Sequence, residues 1–306
     1  MKKLLILLAF ISLINTVYSQ KTIAEWASQE DKVFNKNLTY LNNLNQLKTA
    51  LGRGWVSADA IQFPKKIGIL SYSMVQPTFT EKDSYSIYTN YLTDTGVGNV
   101  LDYLFPKTIE GISSAASQHG LTFLTPEQYC DTPEKKAKYE STEFELSKLF
   151  KGVDIIQTRL RSYQGTDDAK GWVGKFIVAA NADIKVWRSV AAFAKEMGVD
   201  ALLVVGQTVY FNGTVVGLGP ANITLIGVNP TPPTSETNWA PVGPLKGYLE
   251  GFIYGSVDIA SPPLVLATIK KKNITFSDNA GLETAFNRAA GTMFNYAKTE
   301  LDKIKK

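Results

Sequence analysis

The chain has 306 residues, of which 44% are apolar and 20% charged, a composition that excludes global disorder and leaves ample length for a core. Its net charge is +4, and Lys2 and Lys3 supply half of it; a remainder near +2 without a Lys/Arg stripe excludes a nucleic-acid partner. A single Cys (Cys130) and a single His (His119) exclude an internal disulfide and a His/Cys zinc set, and would leave any Ser-His-Asp chemistry to His119.

Residues 1–19 read as a cleavable secretory signal. Lys2 and Lys3 form the positive n-region, Leu4 to Ile14 an apolar run broken by Ser12, and Val17 and Ser19 the small cleavage positions. The run is too short to span a bilayer, and no Cys follows it to carry a lipid. The mature chain is therefore expected to begin near Gln20 and to hold no transmembrane segment. Its expected location is the periplasm, the outer-membrane surface or the medium.

Residues 20–60 are expected to form an N-terminal helical segment and 61–306 an α/β domain. Ile23, Trp26, Val33, Phe34, Leu38, Leu41, Leu44, Leu47 and Leu51 recur at helical spacing over 22–52, and Gly52 and Gly54 end the run. Lys66 to Tyr72 reads as a strand. Gln76-Pro77 then opens a polar, Tyr-rich loop to about 95, since Pro is excluded from a central strand. A helix follows over 98–119, with Val100, Leu101, Leu104, Phe105, Ile109, Ile112 and Ala116 on one face and Pro106 expected to kink or divide it. Gly96 and Gly98 precede it, so their amides could hold an anion, a plain turn being the other reading. His119, before Gly120, reads as a helix-end residue with a structural role.

Gly120 to Leu124 reads as a short strand, and Thr125-Pro126 as the start of another helix. Residues 131–150 read as a charged helix, and 153–157 as either strand or helix. Lys185 to Met197 is an amphipathic helix with Val186, Val190, Phe193, Ala194 and Met197 on one face. Gly198 stops it, and an apolar strand begins directly after. Asp200, at the start of that strand, is expected to sit near the sheet edge and to reach water or the backbone amides of a neighbouring loop. Asn212-Gly213 predicts a two-residue hairpin turn, with returning strands at 214–216 and 223–226. A Pro-rich loop (229–244), strands at 251–259 and 264–269 and a long helix over 279–304 complete the chain. The expected fold class is α/β (α+β): a mixed β-sheet flanked by helices, with an N-terminal helical segment.

No P-loop or Gly-x-Ser-x-Gly elbow is present, and Gly217-Leu218-Gly219 precedes a strand rather than a helix, so no cofactor, metal or catalytic set is assigned. The one mixed cluster is Asp154, Asp167, Asp168 and Asp183 around Arg159, Arg161, Tyr163 and Trp172. It could bind a sugar or supply an acid/base pair for glycoside cleavage; a solvated charged loop is the plainer reading. Asn-x-Ser/Thr sequons at Asn37, Asn212, Asn222 and Asn273 matter only in a eukaryotic host.

The order of "IGIL", a helix, "GLTFLTPEQY", then "AKEMGVDALLVVG", long strands and an Ala-rich last helix resembles the CsgG/LpoB/TolB-N-like group of bacterial envelope proteins. Residues 66–75, 98–130, 186–230 and 250–304 carry the resemblance. It departs from that group in lacking a lipidated Cys, and only 207–228 offers a candidate for a membrane hairpin. The resemblance implies a non-catalytic binding or adaptor domain for a protein or other envelope component, with an oligomer possible. A secreted hydrolase using the 154–183 carboxylates and a small-ligand carrier are the rival expectations.

Overall fold

The computed structural model describes residues 22–52, 58, 61–77, 79–82, 87–90, 92, 94–142, 158–163, 184–228, 251–261, 264–270, 273–277 and 281–306. The expected signal peptide, residues 153–157 and the Pro-rich 229–244 lie outside them. In chain order the elements begin with short helices α1 (Ile23–Ala27) and α2 (Asp31–Phe34), strand β1 (Leu38–Leu41) and helix α3 (Asn45–Gly52). Strands β2 (Lys66–Pro77), β3 (Phe79–Lys82) and β4 (Ile87–Asn90) precede helix α4 (Asp94–Gln118) and strand β5 (Thr122–Leu124). Helices α5 (Pro126–Tyr129) and α6 (Pro133–Ser141), strand β6 (Thr158–Tyr163) and helix α7 (Ile184–Met197) follow. Strands β7 (Ala201–Phe211), β8 (Val215–Val228), β9 (Gly251–Ile259), β10 (Leu264–Lys270) and β11 (Asn273–Phe276) lead into helix α8 (Gly281–Lys305).

The fold is a mixed sheet flanked by helices. Its strand order is β1-β9-β8-β7-β2-β5, with β10 and β11 added to β8 and β6 added to β2. β2 runs parallel to β5 and β7; the other pairings are antiparallel. Alternation along the strands buries two faces. Ile67, Ile69, Tyr72, Leu203, Val205 and Ile223 join α1, α4 and α8 in the larger core. Leu70, Leu202, Val204, Ile226 and Ile253 meet Tyr129, Tyr139 and the α7 side chains in the second. Gly111 lets α4 approach α8, because a Cβ there would overlap the backbone carbonyl of Glu283.

The helix ends follow their sequence signals. At α7, Gly198 has φ +74°, its N–H donates to Lys195, and the Val199 N–H donates to Ala194. At α4, Gly120 (φ +70°) and Leu121 donate to Ser117 and Ala116 in the same way. Both are Schellman stops, in which glycine takes the left-handed position at no steric cost. His119 packs edge-on to Phe294 of α8 at 5.9 Å. α5 opens on Pro126 with a Thr125/Gln128 capping box.

Several elements differ from expectation. The helical run over 22–52 is interrupted by β1, which pairs with β9 from Leu38↔Ile259 to Leu41↔Ser256. Leu38 and Tyr40 alternate onto the larger core, so a pattern that scored as helical serves a strand once a sheet edge is beside it. β2 continues through Gln76 and Pro77 because its last residues pair with β6, while pairing to β7 ends at Val75↔Thr208. Pro77 thus sits where the strand has one neighbour. The expected 76–95 loop contains the β3–β4 ladder, Phe79↔Asn90 to Lys82↔Ile87. α4 runs unbroken through Pro106. Residues 215–216 and 223–226 are parts of one strand, β8, Thr214 falls in the turn, and β11 is a strand beyond those expected.

Candidate functional site

Of the residues singled out in the sequence, Asp154, Asp167, Asp168, Trp172 and Asp183 lie outside the described residues. The backbone of Arg159 and Arg161 belongs to β6, in register with Gln76 and Met74 of β2. Gly96 and Gly98 do not form a loop before a helix. Both lie inside α4, which starts at Asp94, four residues before the expected start at 98, so Gly96 falls in the first turn of the helix.

The geometry draws attention to two other places. The first is the β1 edge. Trp26, Gln29, Val33, Lys36, Asn37, Ala260 and Ser261 line an open groove of about 390 Å³ between the N-terminal helices and the end of β9. Asn37 donates its side-chain N–H to the carbonyls of Val33 and Phe34, which fixes the turn leading into β1. Arg288 of α8 clasps the same segment: its guanidinium lies 4.1 Å from the Phe34 ring centre and donates to the Ala27 carbonyl and to Asp31. Val33 is 43% exposed and Leu41 44% exposed, the large apolar side chains most open to solvent among the described residues.

The second place is the sheet face that carries α7. Cross-strand register sets two transverse rows there, one running Ser71, Val204, Thr224, Ser256, Leu41 and the next Ser73, Gly206, Asn222, Asp258, Thr39. Asn222 donates to Ser256 at 3.1 Å and to Asp258 at 2.5 Å, and the Thr224 hydroxyl donates to the Asn222 carbonyl oxygen at 2.8 Å. At the β2 end the hydroxyls of Ser71 and Ser73 are buried and have no hydrogen-bond partner. Apart from Val204, Leu41 and Gly206 the rows carry side chains with small polar groups, where the neighbouring row, Leu202, Ile226 and Ile253, is wholly apolar and packs on α7.

Between these two zones β2 bulges at Leu70, where its register to β7 shifts. Two buried phenols attend the bulge: Tyr129 donates to the Ile69 carbonyl at 2.9 Å and Tyr139 to the Leu70 carbonyl at 2.8 Å. Burial pushes both hydroxyls well above the usual tyrosine range, so they act as fixed donors and not as acid/base groups. Sequence reading missed both places because they are assembled by register between strands far apart in the chain; no local motif encodes them. Cys130 is half-buried beside these phenols, and no group of His, Cys, Asp and Glu among the described residues has metal-ligand geometry. No described helix is long and apolar enough to cross a membrane.

Compared with known proteins, the chain matches no family model, no curated protein and no solved structure.

Proposed function

We propose that this is an exported, non-catalytic protein of the bacterial cell envelope, in the periplasm or at the outer membrane, that binds another envelope component along the β1 edge. The observation that carries the reading is the pairing of an edge strand with exposed apolar side chains. Among the described strands β1 pairs with β9 alone, so its outer backbone groups face away from the sheet. Val33 and Leu41 flank it, and the groove lies beside it. A short edge with apolar flanks suits a partner that adds a strand and seats a side chain in the adjoining groove. The resemblance to the CsgG/LpoB/TolB-N-like group agrees with an adaptor of this kind.

The test is a photo-crosslinking amino acid placed at Leu41 in the full-length exported chain, with Lys298 on α8 as the control position. The reading expects a discrete adduct from Leu41 that Val33→Asp removes while the thermal transition is kept. Equal labelling from both positions, or an adduct indifferent to Val33→Asp, would remove it. A small-ligand carrier is the second reading, favoured by the hydroxyl-bearing rows on the α7 face.

A further inference from the structure

We propose that the α7 face of the sheet holds a binding site for a neutral polyhydroxylated ligand, a saccharide unit, seated over Gly206. Two independent features converge on that point. Gly206 lies in the middle of the sheet, between Ser73 of β2 and Asn222 of β8, yet a Cβ built on it would meet nothing within 4 Å. The face is therefore open there, between a buried Ser73 and a half-buried Asn222. Ser71 and Ser73 stand along the β2 side of the notch, each 1% exposed, each with a hydroxyl that no protein group engages.

The chemistry of the walls selects the ligand. A buried hydroxyl left unpaired costs on the order of 1–3 kcal/mol, so an apolar occupant would leave that cost in place. An anion would find no cation on the two rows and would face the Asp258 carboxylate. A metal would find neutral hydroxyls, with the Asp258 and Asn222 side chains already bonded to one another. A hydroxyl of a ligand both donates and accepts, as each serine hydroxyl does, so a polyol satisfies both serines whichever way their protons turn. Asn222, fixed by Thr224 and Asp258, presents an ordered polar wall on the other side.

The site is tested on the full mature chain with glucose and N-acetylglucosamine as probes, read by calorimetry and by the amide resonance of Gly206 in glycine-labelled protein. The expected result is a saturable shift at Gly206 and a measurable binding heat. Gly206→Val places a branched side chain in the notch of an ordinary strand, so it should keep the thermal transition and abolish the binding heat. Ser71→Ala and Ser73→Ala should each weaken binding about five- to tenfold, the worth of one hydrogen bond, and they keep the test decisive if Gly206→Val fails to fold. Neither probe moving Gly206 at saturating concentration, or ordered water alone on Ser71 and Ser73 in a crystal soaked with the probe, overturns the proposal.

Discussion

The carboxylate of Asp200 accepts the backbone N–H of Lys66 at 2.8 Å and that of Lys65 at 2.9 Å, while the Asp200 N–H donates to the Lys66 carbonyl at 2.7 Å. One residue thereby ties the first residues of β2 to the start of β7 and sets the parallel register between them. The position answers the expectation that this carboxylate would reach neighbouring backbone amides. Asp200→Ala should cost about 1–2 kcal/mol, since the two bonds are charge-assisted but solvent-exposed. Asp200→Asn retains an acceptor and should cost less. Urea denaturation compares the two; equal stability of wild type and Asp200→Ala would show that the register is set elsewhere.

Phe193 is 2% exposed, in the core between α7 and the sheet, and its ring lies 6.1 Å from that of Tyr139. Phe193→Ala should lose about 3–5 kcal/mol through transfer energy and the cavity left behind. A silent variant in calorimetry would contradict the helix-on-sheet packing.

The β7–β8 turn differs from the Asn-Gly arrangement predicted for it. Asn212 donates its N–H to Val215, and its side-chain oxygen accepts from the amides of Thr214 and Val215, so Gly213 and Thr214 form the tip. Gly213 has φ +94°. Gly213→Val should cost on the order of 1–2 kcal/mol, because a β-branched side chain is strained there. An unchanged melting temperature would argue against the left-handed conformation.

Burial pushes the hydroxyls of Tyr72, Tyr129, Tyr139 and Tyr254 above the ordinary tyrosine range. A folded-state pKa above the unfolded one favours the protonated form, so this stability is complete below about pH 10 and is lost as pH rises beyond it. Thermal melts should hold steady with respect to these groups up to that pH and then fall. Tyr139→Phe removes one titrating group together with its bond to Leu70, so it should lower stability at neutral pH and flatten the alkaline decline. An alkaline decline of unchanged steepness in Tyr139→Phe would show that Tyr139 does not titrate on unfolding.

Much of the fold was legible in the sequence because its signals are local. The apolar face of α7, the glycine stops at Gly198 and Gly120, the proline start of α5 and the face of α8 each depend on residues within a few turns of one another. The candidate sites were not legible. The carboxylates and Arg159 and Arg161 attracted notice by type and proximity in sequence, which does not measure proximity across a sheet.

The sequence by itself determined where α4 and α7 end, where α5 begins, which faces of α7 and α8 are apolar, and that a helix, a Gly stop and a strand form one α/β unit, since backbone sterics and side-chain periodicity act over a few residues. Tertiary structure alone decided that Leu38–Leu41 is a strand, that Pro77 is tolerated in β2, and that Ser73, Gly206, Asn222 and Asp258 stand side by side. Each of those depends on which strand lies alongside, and strand pairing joins residues as far apart in the chain as Leu38 and Ile259 through backbone hydrogen bonds that every residue but proline can make.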